Sequence, residues 1–429
     1  MILFPLLMGG IGAADELPAL QVVGAGQQYK IATSGLKNLA GDDQGRISSS
    51  FAITLARNLK LSGYFKIIDP ASYIEKPQDS GYDLGQFNFA DWSSLKAEFL
   101  VKGAVEVRNG QVSLVAMLFD VAQQQRMMGK RFTGSTADVQ EMARRFADAV
   151  MQSITGKRGP FDTKLAYVST RGGRFKEVYV SHLDGSGAFQ ITNNPTINLF
   201  PHFDKTVHHL IYLSYKTDEP ALYVVDLNAK REVRITSDRG RMVGGALTSD
   251  GNRIVAAIEH GGYTNLYLLS SSGNRLKALT NDRAINVNPA VSPDGTQIAF
   301  CSDRSGRPQI YVMPLQGGAP RRVTYQGSYN TAPSFNPDGS KIAYESREGG
   351  RFDIYTIPTA GGNPIRLTTG GSNTSPSWSP DGRYIAFSST RGGRARIYIM
   401  QANNPNIMSA ITEENGNDTS PAWSWWLGE

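Results

Sequence analysis

One cysteine, Cys301, occurs in 429 residues, so neither an intrachain disulfide nor a cysteine-built zinc site can form. No run of 18 apolar residues is present, which excludes a membrane-spanning helix. Charge of one sign is equally scarce. The 44 Lys and Arg against 38 Asp and Glu leave a formal +6, and no cluster of five or more basic residues occurs. A dedicated nucleic-acid surface is therefore not expected. The chain lacks a G-x-S-x-G nucleophile elbow, a Walker A sequence, a G-x-G-x-x-G after a strand and an H-E-x-x-H helix. Its five histidines, His182, His202, His208, His209 and His260, form no metal-binding spacing. His208 and His209 open a strand and should point to opposite faces. Cys301 follows Ala299 and Phe300 on a strand and reads as a small buried residue.

What is abundant is glycine, 45 residues, with 21 prolines, and much of both is periodic. A repeat runs from Thr163 onward. Its clearest copies are NPAVSPDGTQIAFCSDRSGRPQIYVMPLQGGAPRRVT (288–324), APSFNPDGSKIAYESREGGRFDIYTIPTAGGNPIRLT (332–368) and SPSWSPDGRYIAFSSTRGGRARIYIMQA (375–402). The proline slot is filled by Pro201, Gly245, Pro289, Pro333, Pro376 and Pro421, at spacings of 44, 44, 44, 43 and 45. Each copy reads as four strands. Pro-Asp-Gly makes the first turn, because Pro presets φ and Gly accepts a positive φ. Four strands per ~40–45 residues is a propeller blade. Lys164–Thr192 starts at a second strand and Thr419–Trp423 is a first strand with nothing after it. Pairing the two closes the ring at six blades and removes the exposed sheet edges. The Asp of each turn, Asp250, Asp294, Asp338 and Asp381, is explained by the turn itself. Phe203, Leu247, Val291, Phe335, Trp378 and Trp423, two past the proline slot, read as core.

The fold expected is an α/β N-terminal domain plus an all-β six-bladed β-propeller closed by the C-terminal strand. Residues 1–14 read as a signal peptide whose basic front is missing, with Gly12 and Ala14 suited to cleavage. Residues 15–28 form an arm that Pro18, Gly24 and Gly26 keep from being a helix. Residues 29–156 are the α/β domain, 157–162 a linker and 163–429 the propeller. In the domain, Ile47, Phe51, Leu55 and Leu59 mark one amphipathic helix, and Val139, Met142, Phe146 and Val150 another. A short helix over Phe89–Lys96 has Asp91 as its candidate cap, and Ser135 or Thr136 caps the long one. Asn109-Gly110 joins two alternating strands as a hairpin. Asp69, Glu75 and Asp83 sit near turns and read as solvated.

One pattern is not absorbed by the core. Asn198, Met242, Asn286, Asn330, Asn373 and Asp418 stand three residues before the proline slots, and five of the six are Asn or Asp. Either they cap the inter-blade loops, or they form a polar ring at one mouth of the central channel that receives a partner. Arg241, Met242 and Val243 interrupt that ring with a cation and apolar residues, the composition of a binding hot spot. A propeller enzyme of polysaccharide-lyase type would need an acid/base cluster in the channel instead. A glycan-binding propeller is the other alternative.

Four segments carry a resemblance to a known family: ADWSSLKAEFLVKG (90–103), TGKRGPFDTKLAYVST (155–170), SDRSGRPQIYVMPLQGGAPRRVTYQGSYN (302–330) and SPAWS (420–424). With the architecture, they resemble the TolB family of the Tol–Pal system. The resemblance implies an exported, periplasmic, monomeric and non-enzymatic protein. It implies a Pal-like lipoprotein bound at the propeller mouth and TolA bound by the N-terminal arm, in support of outer-membrane integrity and constriction at division. The lipoprotein-contact loops fall on Arg241–Gly244 and on Ala284–Asn288, with Val287 at a contact position. Arg241 and Met242 replace the His-Asn pair of better-known members, which suggests a co-varied partner surface. The TolA-binding segment falls on residues 15–28, whose apolar side chains are Leu17, Leu20, Val22 and Val23. No cofactor is implied, a calcium ion in the propeller channel being the single exception left open. Trp425 and Trp426 should pack against the first blade.

Overall fold

A computed structural model describes residues 28–42, 44–236, 240–413 and 415–427. The expected signal segment and Leu17, Leu20, Val22 and Val23 lie outside the described residues.

The first domain contains β1 (Tyr29–Ala40), α1 (Arg46–Leu61), β2 (Phe65–Ile67), α2 (Phe89–Ser94), β3 (Phe99–Arg108), β4 (Gln111–Asp120), β5 (Gln125–Ser135) and α3 (Val139–Thr155). Its sheet has the order β2-β1-β3-β4-β5. The helical stripes do what their spacing requires: Phe51, Leu55 and Leu59 of α1 and Met142, Phe146 and Val150 of α3 are buried together against the sheet. Asn109 and Gly110 both have positive φ, 50° and 76°, as the tight β3–β4 turn demands. Asn88, rather than Asp91, caps α2, its Oδ1 accepting from Ala90 N at 3.0 Å. Ser135 and Asp138 form a capping box ahead of α3. β1 runs seven residues past the expected Thr33, because two bulges keep it in register with β3. Glu75 is not solvated: it pairs with Lys102, which is 2% exposed and also donates to Ser80 Oγ at 2.9 Å. A buried cation needs such a partner.

Six four-stranded sheets follow, and the inner strand of the first is Asp418–Trp423 paired with Lys164–Ser169. The repeat's terminal threonine has a defined task. Thr192, Thr280, Thr324, Thr368 and Thr412 each accept, through Oγ1, a backbone N–H from the third strand of their blade at 2.8–3.1 Å. Cys301 is buried, and burial pushes its thiol up to about 11. Trp425 packs against the first and second blades, and Trp426 Nε1 donates to Gly159 O at 2.7 Å.

The linker is packed rather than loose, with Phe161, Asp162 and Thr163 at most 1% exposed. The described residues of the first domain touch one end of the propeller. Tyr384 Oη and Gln401 Nε2 donate to Ser62 O, Arg383 Nη1 donates to Thr155 Oγ1, and Arg57 Nη2 donates to Asp184 O. These propeller residues flank the first-to-second and third-to-fourth turns of blades six and one. In an antiparallel blade the second-to-third turn and the inter-blade connection lie at the opposite end. Among the described residues, that opposite end, the mouth, has no contact with the first domain.

Candidate functional site at the propeller mouth

The polar ring expected at the mouth is not there. Asn198, Asn286, Asn330, Asn373 and Asp418 are 0% exposed and Met242 is 1% exposed. Each Asn side chain is spent on the blade junction. Asn198 Nδ2 donates to Lys176 O at 2.8 Å, Asn286 Nδ2 to Thr264 O at 2.9 Å, Asn330 Nδ2 to Gln326 O at 2.7 Å and Asn373 Nδ2 to Asp353 Oδ1 at 2.8 Å. In three blades an arginine clamps the residue from above. Arg304 donates to Asn286 Oδ1 at 2.8 Å, Arg391 to Asn373 Oδ1 at 3.0 Å, and Arg171 lies 3.5 Å from Asp418. The same guanidiniums lie over the ring pairs Phe300/Tyr311, Phe387/Tyr398 and Tyr167/Tyr179. The regularity that suggested a binding ring is the regularity of a loop cap. A partner cannot reach these six side chains.

The mouth is built two residues further on. Phe200, Gly244, Asn288, Ala332, Ser375 and Ser420 precede the proline slots and line a depression of about 130 Å³. All but Gly244 hold φ between 49° and 54°. These are left-handed conformations at non-glycine residues, costing about 1–3 kcal/mol each. They arise from bulges: each inner strand carries one more residue than its partner strand at this point. Strain repeated at one rim and carried by residues that face a depression makes this rim the candidate site.

Of the residues expected to contact a partner, Arg241 is exposed, and Val243, Val287 and Asn288 are half-buried. Arg241 is tied to Glu259 by two contacts of 3.0 and 2.9 Å. Glu259 is held below the usual carboxylate range by the Gly262 N–H and then by Arg241. Nothing lies within 4 Å of a Cβ built on Gly244. Asn288 Oδ1 accepts from Thr331 Oγ1 at 3.0 Å, joining neighbouring blades at the rim.

An apolar arc around the rim escapes sequence reasoning. Ile197, Phe200, Tyr215, Tyr263, Ile285 and Tyr329 are 39–46% exposed; Phe200 lies on the bulge of the inner strand of blade two, and the others lie on inter-blade connections or at second-to-third turns of blades two to five. Ile197, Ile285 and Tyr329 occupy one repeat position, four before the proline slot, where blades six and one carry Ser372 and Asn417. That comparison of copies was the available signal. Beside the arc, Glu345 is buried and its carboxyl is pushed up to about 7 by desolvation, against which only the Ser375 N–H at 2.7 Å works.

The channel below the mouth contains no carboxylate among its described lining residues, and its titratable side chains there are His202 and Lys205. Calcium takes several oxygen ligands with carboxylates among them, so this lining does not suit it.

Two domain models match the chain: the TolB amino-terminal domain over residues 20–127 and the TolB beta propeller domain over residues 151–426. The chain belongs to the TolB family. It is similar to the Tol-Pal system protein TolB of Desulfosudis oleivorans, 37% identical over 225 residues that are 52% of this chain and 51% of that one. The same-named protein of Desulfotalea psychrophila is 31% identical over 278 residues, 63% of this chain and 60% of that one. The chain thus spans about half to three-fifths of the length of these curated TolB relatives. The crystal structure of TolB from Acinetobacter baumannii superposes with a TM-score of 0.80 at 24% identity, over 93% of this chain and 97% of that one. That likeness confirms the two-domain TolB architecture.

Proposed function

We propose that the chain is a periplasmic, non-enzymatic and monomeric adaptor of the Tol–Pal system. Its propeller mouth binds a Pal-like peptidoglycan-associated lipoprotein, and its N-terminal arm, through Leu17, Leu20, Val22 and Val23, binds TolA. In this role it maintains outer-membrane integrity and envelope constriction during division. The observation that carries the reading is the rim itself. An apolar arc, flanked by Arg241 and next to the strained bulges, lies at the end of the blades opposite the described contacts of the first domain. Exposed aromatic and aliphatic residues beside an arginine have the composition of a protein interface. We further propose that the two binding sites are coupled through the packed junction around residues 157–162, so that lipoprotein binding biases release of the arm.

The test is a cross-linking pull-down from envelope extract with wild type, Arg241→Glu and Ile285→Glu. A lipoprotein captured by wild type and lost in both variants is the expected result. Because Arg241 pairs with Glu259, the double variant Arg241→Glu/Glu259→Arg is included to restore the local pair; binding should stay lost. An absence of any lipoprotein with folded wild type would overturn the reading. For the coupling, lipoprotein binding should change protease cleavage within residues 15–28; an unchanged rate would sink it.

A further inference from the structure

Below the ring of prolines, at the end of the channel away from the mouth, lies a chamber of about 190 Å³. Its walls are the side chains two past each proline slot, with Phe335, Trp378 and Trp423 among them. Comparing the six blades position by position shows where the chamber departs from its own repeat. One past the proline slot, five blades present Ala246, Ala290, Ser334, Ser377 and Ala422; blade two presents His202. Four past the slot, blades three to six present Ser249, Pro293, Pro337 and Pro380; blade two presents Lys205. Nothing in the blade architecture requires either basic group, since four or five other blades do without them.

Both reach the same chamber, and no carboxylate lines it among the described residues. Lys205 has no ion pair among the described residues, and its Nζ stands 4.5 Å over the ring of Trp425. His202 Nδ1 is buried without a partner, so Nε2 is the nitrogen left to meet a ligand. Burial brings the His202 imidazole down to about 4 and keeps it neutral at pH 7. Lys205 therefore supplies charge and His202 a hydrogen bond.

We propose that this chamber is a binding site for a small organic carboxylate with an apolar or aromatic body. The charged end would meet Lys205 and His202, and the body would pack on Phe335, Trp378 and Trp423. The sign of the charge follows from the lining. An aromatic cage can also hold a cation, but an exposed lysine without an ion pair at the edge of the same chamber opposes that. The volume sets the size. It equals roughly six waters in the liquid and falls below the ~300–1,000 Å³ typical of drug-sized sites, which limits the ligand to about the size of phenylacetate. The same carboxylate chemistry is offered by a free acid or by the C-terminus of a peptide. The inference stands on the chamber alone and does not depend on the adaptor reading.

The experiment titrates full-length ¹⁵N-labelled protein with phenylacetate, following the indole N–H resonances of Trp378 and Trp423 assigned by Trp→Phe variants. Phenylethanol and phenethylammonium serve as neutral and cationic isosteres, and a phenylalanine-ending dipeptide with free or amidated C-terminus separates the two sources. Saturable shifts with phenylacetate, weakened at least about tenfold in Lys205→Gln and in His202→Ala, are expected. Lys205 is exposed, and alanine is what three other blades carry at the His202 position, so both variants should fold. Equal response to the alcohol or the amine, an unchanged affinity in Lys205→Gln, or no saturable shift with any probe would each overturn the proposal.

Discussion

At the scale of single residues, side chains that look alike in the sequence do different work. Arg304 follows the second strand of blade four and Arg347 lies near the end of that of blade five, yet only Arg304 reaches the buried Asn, at 2.8 Å. In blade five Glu348 stands at the register of the clamp, and Asn330 Oδ1 is left without a partner. Arg304→Met should therefore lower stability by about 1–3 kcal/mol, through a lost charged hydrogen bond and a lost cation–π contact. Arg347→Met should cost less than about 0.5 kcal/mol, as surface changes do. Urea unfolding of the two variants checks the contrast. Glu345 gives a pH signature. Burial pushes its folded-state carboxyl up to about 7 against an ordinary 4.5, so between these values the folded protein keeps a proton that the unfolded chain has lost. Stability attached to it is present below pH 4.5, falls as pH rises through 7 and stays lost above that. Glu345→Gln should thus raise the melting temperature at pH 8, by up to about 3 kcal/mol of stability, and leave it unchanged at pH 4.

At the scale of elements, the periodic patterns were legible because burial enforces them. The stripes of α1 and α3, the Asn109-Gly110 hairpin and the six repeats all appear where their spacing put them. Misreadings occurred where one element meets another. Glu75 lies on a loop whose partner, Lys102, is 27 residues away. The Asn series was read as either cap or ring, and only the packing of consecutive blades shows that it is a cap. Seams between blades are also where substitutions should be most damaging. Gly185 has φ 79°, and a Cβ there would lie 2.4 Å from Ile411 O of blade six. Gly185→Ala should cost more than about 2 kcal/mol, combining the left-handed penalty with a backbone clash. Calorimetry on this variant, beside Gly339→Ala with φ 72° and open space, separates the two contributions.

At the scale of the whole molecule, the ring is closed by its last strand. Asp418–Trp423 supplies the inner strand of blade one, and Trp423 Nε1 donates to Thr163 Oγ1 at 2.9 Å, across 260 residues. Ending the chain at Gly416 should abolish cooperative unfolding of the propeller rather than shift its midpoint, because it exposes two sheet edges and the junction core. A cooperative transition retained in the truncated chain, by circular dichroism and limited proteolysis alike, would contradict the closure argument. The same geometry puts the described residues of the first domain against blades six and one, at the end away from the rim of blades two to five.

The sequence by itself determined the two domains, the six blades, the closing strand and the family, because each depends on spacing along the chain or on local turn chemistry. Arg241 was legible as a departure from the repeat, and it is exposed at the rim. Which of the repeat's polar residues face solvent was decided only by tertiary structure. The bulge before each proline turns the Asn into the junction and its neighbour two positions on into the depression. The apolar arc and the basic pair in the lower chamber share that origin. The arc is contributed by residues of blades two to five, and the basic pair by blade two against the walls of the other blades, which closure alone brings around a common axis.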